Sequence, residues 1–339
     1  MKRFLKSLLA GAAVLLMILP VSAKAKRKDS CAFVFKSTGN PYGEKMMDGF
    51  KSACEELGYD AILRAPEQPT AEGQIQIIEQ LITQKVKAIC ISANDADALQ
   101  PVLTKAMKRG IKVCAVDSNV NAASRMVFVN QADSEKIGRT LIQAAYDMTG
   151  GGGDIAVLSA TSQATNQNLW IDWMKKELSE NASKYAKLKL VKIAYGDDLR
   201  DKSVSETEGL LRSFPDLKCI IAPTTVGIAA CSKVVADKGL IGKVDVTGLG
   251  LPSEMAEAIT KGVCPYMFLW NPIDEGYLAG YVSVTLAKGA IKGEEGDSFA
   301  AGRLGHYNVV KAADGGTEIL LGPPFKFDST NIDKWKTVY

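Results

Sequence analysis

Polar residues gather where short apolar runs stop. Lys36 follows Ala32–Phe35, Asn94 follows Ala88–Ile91, and Asp117 follows Val113–Val116. Farther along, Asn166 and Gln167 come after Ile155–Leu158, Pro223-Thr224-Thr225 after Cys219–Ala222, and Asn271 after Pro265–Trp270. The set holds one lysine, one carboxylate, several amides and hydroxyls, with Tyr42, Trp170 and Trp270 as aromatics. A carboxylate accepts from two hydroxyls, an amide both donates and accepts, and an ammonium donates three times. An aromatic ring covers an apolar C–H face. These groups suit a small polyhydroxylated ligand that is held and not transformed. Hydrogen bonds to charged partners contribute ~1.5–3 kcal/mol each. Three or four of them with one stacked ring reach the ~8 kcal/mol of micromolar binding. Each residue also has a local use: Asn94, Thr224 and Thr225 as helix caps, Lys36 and Asp117 as an ion pair, the aromatics as core.

Other chemistry finds few residues. The only histidine, His306, lies in a late glycine-rich stretch away from the strand ends, so Ser-His-Asp and Cys-His mechanisms have no starting point. The seven cysteines (31, 54, 90, 114, 219, 231, 264) form no CxxC pair and read as buried free thiols. Gly150–Gly153 precedes its strand and lacks a GK[ST] ending, so it reads as a surface turn and not a phosphate loop. The acidic pairs Asp197-Asp198 and Glu294-Glu295 read as solvated loop charges. No catalytic residue, metal site or cofactor is expected.

The elements that position the strand-end residues alternate. After each apolar run of four or so residues comes a helical pattern, such as Met46, Met47, Phe50, Cys54 and Leu57, or Ile75, Ile78, Leu81 and Ile82. Short connections between them give doubly wound parallel sheets in an α/β chain. Ligands of such sheets sit beyond the carboxyl ends of the strands. VKAICISAN (86–94) is echoed by LKCIIAPTT (217–225), and each leads through a helix into another apolar strand, Lys112–Asp117 or Lys243–Leu249. Two similar lobes follow: 28–129 plus 271–300, and 130–270 plus 301–339. The strands between them form a hinge around a cleft that closes.

The 339 residues accommodate two such lobes, and 47% apolar against 23% charged residues is ordinary for a globular chain. Lys2, Arg3 and Lys6 precede the apolar run Leu8–Leu19, then Pro20 and Ala23-Lys24-Ala25. This is the pattern of a secretory signal peptide over 1–25, cleaved after Ala25, with the periplasm as destination. Its removal takes four of the 41 cations, leaving one fewer than the 38 anions. The nominal +3 therefore implies no nucleic-acid partner.

Several stretches resemble periplasmic solute-binding proteins of sugar ABC transporters, of the ribose-binding type. They are FVFKSTGNPYG (33–43), APEQPTAEGQIQIIEQLI (65–82), VCAVDSNV (113–120), LSATSQATNQNLW (158–170), IIAPTTVGIAA (220–230) and FLWNPIDEGYLAG (268–280). Within that family the chain is most similar to the branch that binds rhamnose or the quorum signal autoinducer-2. The autoinducer-2 pattern has residues matching Lys36, Asp117, Gln167 and Pro223, whereas Asn166 stands for its aspartate and Thr225 for its alanine. The resemblance implies two Rossmann-like lobes, three hinge crossovers, and a monomer that docks on a membrane permease. It implies ligand contacts from Lys36, Tyr42, Asn94, Asp117, Asn166, Gln167, Pro223, Thr225, Trp270 and Asn271. Another monosaccharide such as ribose, or a role in reporting ligand to a chemotaxis or quorum sensor, is the alternative.

Overall fold

The computed structural model describes residues 28–339; the expected leader over 1–25 lies outside them. The first lobe opens with β1 (Ser30–Val34), α1 (Pro41–Glu56), β2 (Asp60–Arg64), α2 (Ala71–Gln84), β3 (Ala88–Ile91), α3 (Ala96–Lys108), β4 (Lys112–Val116) and β5 (Val127–Asn130). The second contains α4 (Ser134–Met148), β6 (Gly153–Ser159), α5 (Thr165–Glu180), β7 (Leu188–Tyr195), α6 (Arg200–Ser213), β8 (Leu217–Ala222), α7 (Thr225–Asp237), β9 (Asp245–Gly248), α8 (Pro252–Thr260) and β10 (Tyr266–Leu269). The chain returns with α9 (Pro272–Lys288), the hairpin strands β11 (Ser298–Ala300) and β12 (His306–Asn308), then β13 (Val310–Lys311), β14 (Thr317–Leu320), β15 (Phe325–Asp328) and α10 (Ile332–Trp335).

The first sheet runs β13-β14-β5-β4-β3-β1-β2 and the second β7-β6-β8-β9. Both place their first strand between the second and the third, and their main strands pair in parallel. β3 and β8, the two strands of the internal echo, hold equivalent places, as do β4 and β9. Central strands β1, β3, β4 and β6 are apolar and buried because helices cover both faces of the sheets.

Local chemistry sets the helix starts nearest the cleft. Pro41 pre-sets the backbone of the first turn of α1, and the Asn40 side chain accepts from the Tyr42 and Gly43 N–H groups at 3.0 and 3.2 Å. Asn271 caps α9 in the same way, accepting from Ile273 and Asp274 N–H. Helices α1 and α9 pack with their backbones nearly touching. A Cβ on Gly276 would lie 1.9 Å from the Met46 carbonyl oxygen, and one on Gly49 2.0 Å from that of Ile273.

The chain crosses between lobes three times, after β5, after β10 and after β14. The third crossing corrects the expected boundaries. Residues 301–339 were assigned wholly to the second lobe, yet β13 and β14 extend the first sheet, with Ile319 opposite Val129. Only β15 reaches the second lobe, pairing antiparallel with β10. The strands β13 and β14 are two and four residues long, and of them Ile319 alone is buried, too little for an alternating pattern to register. Helix α8 escaped the sequence reading as well. All seven cysteines are buried free thiols, as expected, and Gly150, Gly151 and Gly153 form a left-handed turn before β6. His306 opens β12 and is exposed, a strand end after all but remote from the cleft.

Candidate ligand-binding site

The carboxyl ends of both sheets face one another across a cavity of about 370 Å³, near the lower end of the ~300–1,000 Å³ common for small-molecule sites. Lys36, Tyr42 and Asp117 line it from the first lobe. Asn166, Gln167, Trp170, Asp198, Pro223, Thr224 and Thr225 line it from the second, with Trp270 at the second crossover.

Asp117 is the centre. It ends β4 with φ 58°, in the left-handed region that aspartate tolerates better than most residues. One carboxylate oxygen receives the Ser92 hydroxyl at 2.7 Å and lies 3.2 Å from the Lys36 ammonium. The other accepts the Asn166 amide at 2.9 Å. Asn166 in turn accepts from the Ser118 hydroxyl at 2.9 Å and from the Gln167 N–H at 2.8 Å. Its one side chain therefore ties β4 of the first lobe to α5 of the second. Thr165 adds a second tie, donating to the Asn119 carbonyl at 3.1 Å. The lobes are closed on each other.

Gln167 is oriented by its oxygen, which accepts from the Ser159 hydroxyl and the Ala160 N–H, both at 2.8 Å. Its NH2 group is left for the cavity. Thr224 caps α7 and donates to Asp198, while Pro223 and Thr225 present their side chains beside it. Burial raises the pKa of Asp198, with Lys36 and the Thr224 hydroxyl pulling the other way.

The rest of the wall is apolar and aromatic: Phe35, Trp170, Leu249, Leu269 and Trp270. Trp170 and Trp270 meet edge to face at 5.9 Å, and Tyr42 meets Trp270 at 6.4 Å. The Trp170 indole nitrogen is buried without a hydrogen-bond partner. Such an orphan costs free energy unless something in the cavity accepts from it.

Two expected contacts are corrected. Asn94 spends both amide hydrogens on the Lys36 and Thr70 carbonyls, at 2.8 and 3.2 Å, and its backbone N–H on Gln74. It braces the loop that carries Lys36 and does not line the cavity. Asn271 is consumed by the α9 cap and by Asp274. In both cases the backbone outcompetes a ligand for the amide. Asp198, read as solvated, lines the cavity. Ser92 and Ser118 gave no sequence signal beyond adjacency to strand ends.

The sequence was then compared with known proteins. The profile of the periplasmic binding protein domain matches residues 31–291. The chain belongs to the periplasmic binding protein family. A solved solute-binding protein of an ABC transporter from Clostridium phytofermentas, with bound L-rhamnose, is 50% identical. It superposes with a TM-score of 0.90 over 92% of this chain and 99% of that one. The D-ribose/D-allose-binding protein of Pseudomonas aeruginosa is 28% identical over 73% of this chain and 81% of its own length. LsrB from Clostridium saccharobutylicum in complex with AI-2 shares the fold, with TM-score 0.85 and 23% identity over 90% of this chain and 99% of that one. Among the described residues no helix is long and apolar enough to cross a membrane.

Proposed function

We propose that this protein captures L-rhamnose, or a similar uncharged methyl-bearing sugar, between its lobes and hands it to the permease of an ABC importer. The observation that carries this reading is the division of the cavity. One side offers Lys36, Asp117, Asn166 and Gln167; the other is a wall of Phe35, Trp170, Leu249, Leu269 and Trp270 whose sole polar atom without a partner is the Trp170 N–H. Hydroxyls face the first side. A methyl group and the C–H face of a pyranose rest on the second, where the indole donates to one sugar oxygen. The relative with bound L-rhamnose supports this choice. Protein of this kind works in the periplasm as a monomer, without cofactor, and releases its ligand unchanged.

Calorimetric titration with L-rhamnose, L-mannose, ribose and autoinducer-2 tests the proposal. L-mannose differs from L-rhamnose only by a hydroxyl on C6. A hydroxyl buried without a partner costs ~1–3 kcal/mol, so L-mannose should bind ~5-fold to ~150-fold more weakly. Micromolar or tighter binding of L-rhamnose is the expected result. Preference for autoinducer-2 would move the assignment to that ligand, and absence of heat with all four would overturn it. Mass spectrometry of the recovered ligand should find it intact.

A further inference from the structure

Glu275 lies in the first turn of α9, fully buried, behind the cavity wall and not in it. One of its carboxyl oxygens accepts from the Tyr42 hydroxyl and, at 2.9 Å, from the Trp270 indole N–H. The same indole N–H lies 2.6 Å from the Tyr42 oxygen. The second carboxyl oxygen is buried with no partner. Nothing in helix capping requires this arrangement, since Asn271 already serves the end of α9. A carboxyl group sealed from water is expensive, so its retention needs a purpose.

We propose that Glu275 is a positioning residue: it pins the rings of Tyr42 and Trp270, and thereby sets the aromatic wall against which the apolar face of the ligand packs. The inference rests on the sugar-binding reading and names a determinant of its specificity. Trp270 stands at a crossover between lobes, bounded by β10 and α9. Without an acceptor for its N–H, the indole is free to turn about its χ2 bond and present another edge to the cavity. Tyr42 loses the acceptor for its hydroxyl at the same time. The groups facing Glu275 are Tyr42 from α1, Asp117 at the end of β4 and Lys36 beyond β1. Burial, and next the Asp117 carboxylate, hold its pKa well above the usual carboxylate range. A neutral acid accepts hydrogen bonds as an amide does, so glutamine should replace it.

The test compares wild type, Glu275→Gln, Glu275→Ala and Tyr42→Phe, each checked for folding by circular dichroism. Binding of L-rhamnose and L-mannose is measured by calorimetry, and the Trp270 ring is followed by fluorine NMR of protein labelled with 5-fluorotryptophan. Glu275→Gln should stay within ~3-fold of wild type and keep the Trp270 resonance. Glu275→Ala should weaken L-rhamnose ~10-fold to ~100-fold, narrow its preference over L-mannose, and shift or broaden that resonance, even without ligand. Tyr42→Phe should fall between them and keeps the inference open to test if the alanine variant fails to fold. An unmoved Trp270 resonance in Glu275→Ala, or Glu275→Gln losing as much affinity as alanine, would overturn the inference. Failure of wild type to bind either sugar would count against the sugar reading instead, while the NMR comparison would still decide the positioning role.

Discussion

Asp117 bears the heaviest load of any side chain in the cleft, because four groups meet on its two oxygens. Three of them are Ser92, Lys36 and Asn166, and the fourth is the ligand. Replacing it by asparagine leaves the Lys36 ammonium buried without its counter-ion, which costs more than the lost pair was worth. Asp117→Asn should weaken sugar binding by at least ~10-fold in calorimetry and lower the melting temperature by several degrees. Glu275 gives a second residue-scale prediction, in pH. Its folded pKa is raised above the unfolded one, so above about pH 4.5 the folded state keeps a proton that the unfolded state has released. Stability then falls as pH rises, by up to ~1.4 kcal/mol per pH unit, until the folded group itself ionises. Urea unfolding at pH 5 and pH 7 should show Glu275→Gln gaining on wild type at the higher pH. The residues of the site were legible to the extent that strand ends announce them. Lys36, Asp117, Gln167 and Pro223 needed only the rule that ligands sit beyond carboxyl ends of parallel strands. Asn94 and Asn271 obey the same rule and yet serve backbone carbonyls and a helix cap, a choice fixed by loop geometry invisible in one dimension. Asp198 was hidden because an acidic pair in a loop looks solvated until another lobe closes over it. Glu275 was hidden because an acid in a first helical turn has an ordinary explanation in the helix dipole.

The helices and strands that hold these residues were mostly readable, since long apolar periodicity dominates β1 to β9 and α1 to α7. What failed were short pieces. β13 and β14 contribute a single buried side chain, Ile319, and their membership of the first sheet is a consequence of the third crossover, not of their own composition. The tightest joint between elements is α1 against α9. Gly276 and Gly49 are there because the carbonyls of Met46 and Ile273 occupy the space a Cβ would need. Neither glycine has positive φ, so the requirement is one of packing and not of backbone freedom. Gly276→Ala should force the helices apart and cost ~1–3 kcal/mol or more, seen as a lower urea midpoint. Because Glu275 is the preceding residue, the same variant should also weaken ligand binding.

At the scale of the whole molecule, two lobes and three crossovers make a clamp, and the closed state is held partly by Asn166. Its amide spans Asp117 and Ser118 across the cleft. An aspartate at this position, as in the autoinducer-2 pattern, would set a second carboxylate against Asp117 unless a ligand stood between them. Asn166→Asp should therefore favour the open arrangement when ligand is absent. Small-angle X-ray scattering should show a larger radius of gyration for the ligand-free variant than for ligand-free wild type, with the difference removed at saturating sugar. Equal radii would mean that other contacts set the closure.

The most direct measurement is a crystal structure of the protein grown with L-rhamnose. The expected result is one sugar between the lobes, its hydroxyls bonded to Lys36, Asp117 and Gln167, and its methyl group against the Trp170, Leu249 and Trp270 side. Sugar bound outside the cleft, or held by one lobe with Asp117 and Lys36 untouched, would contradict it.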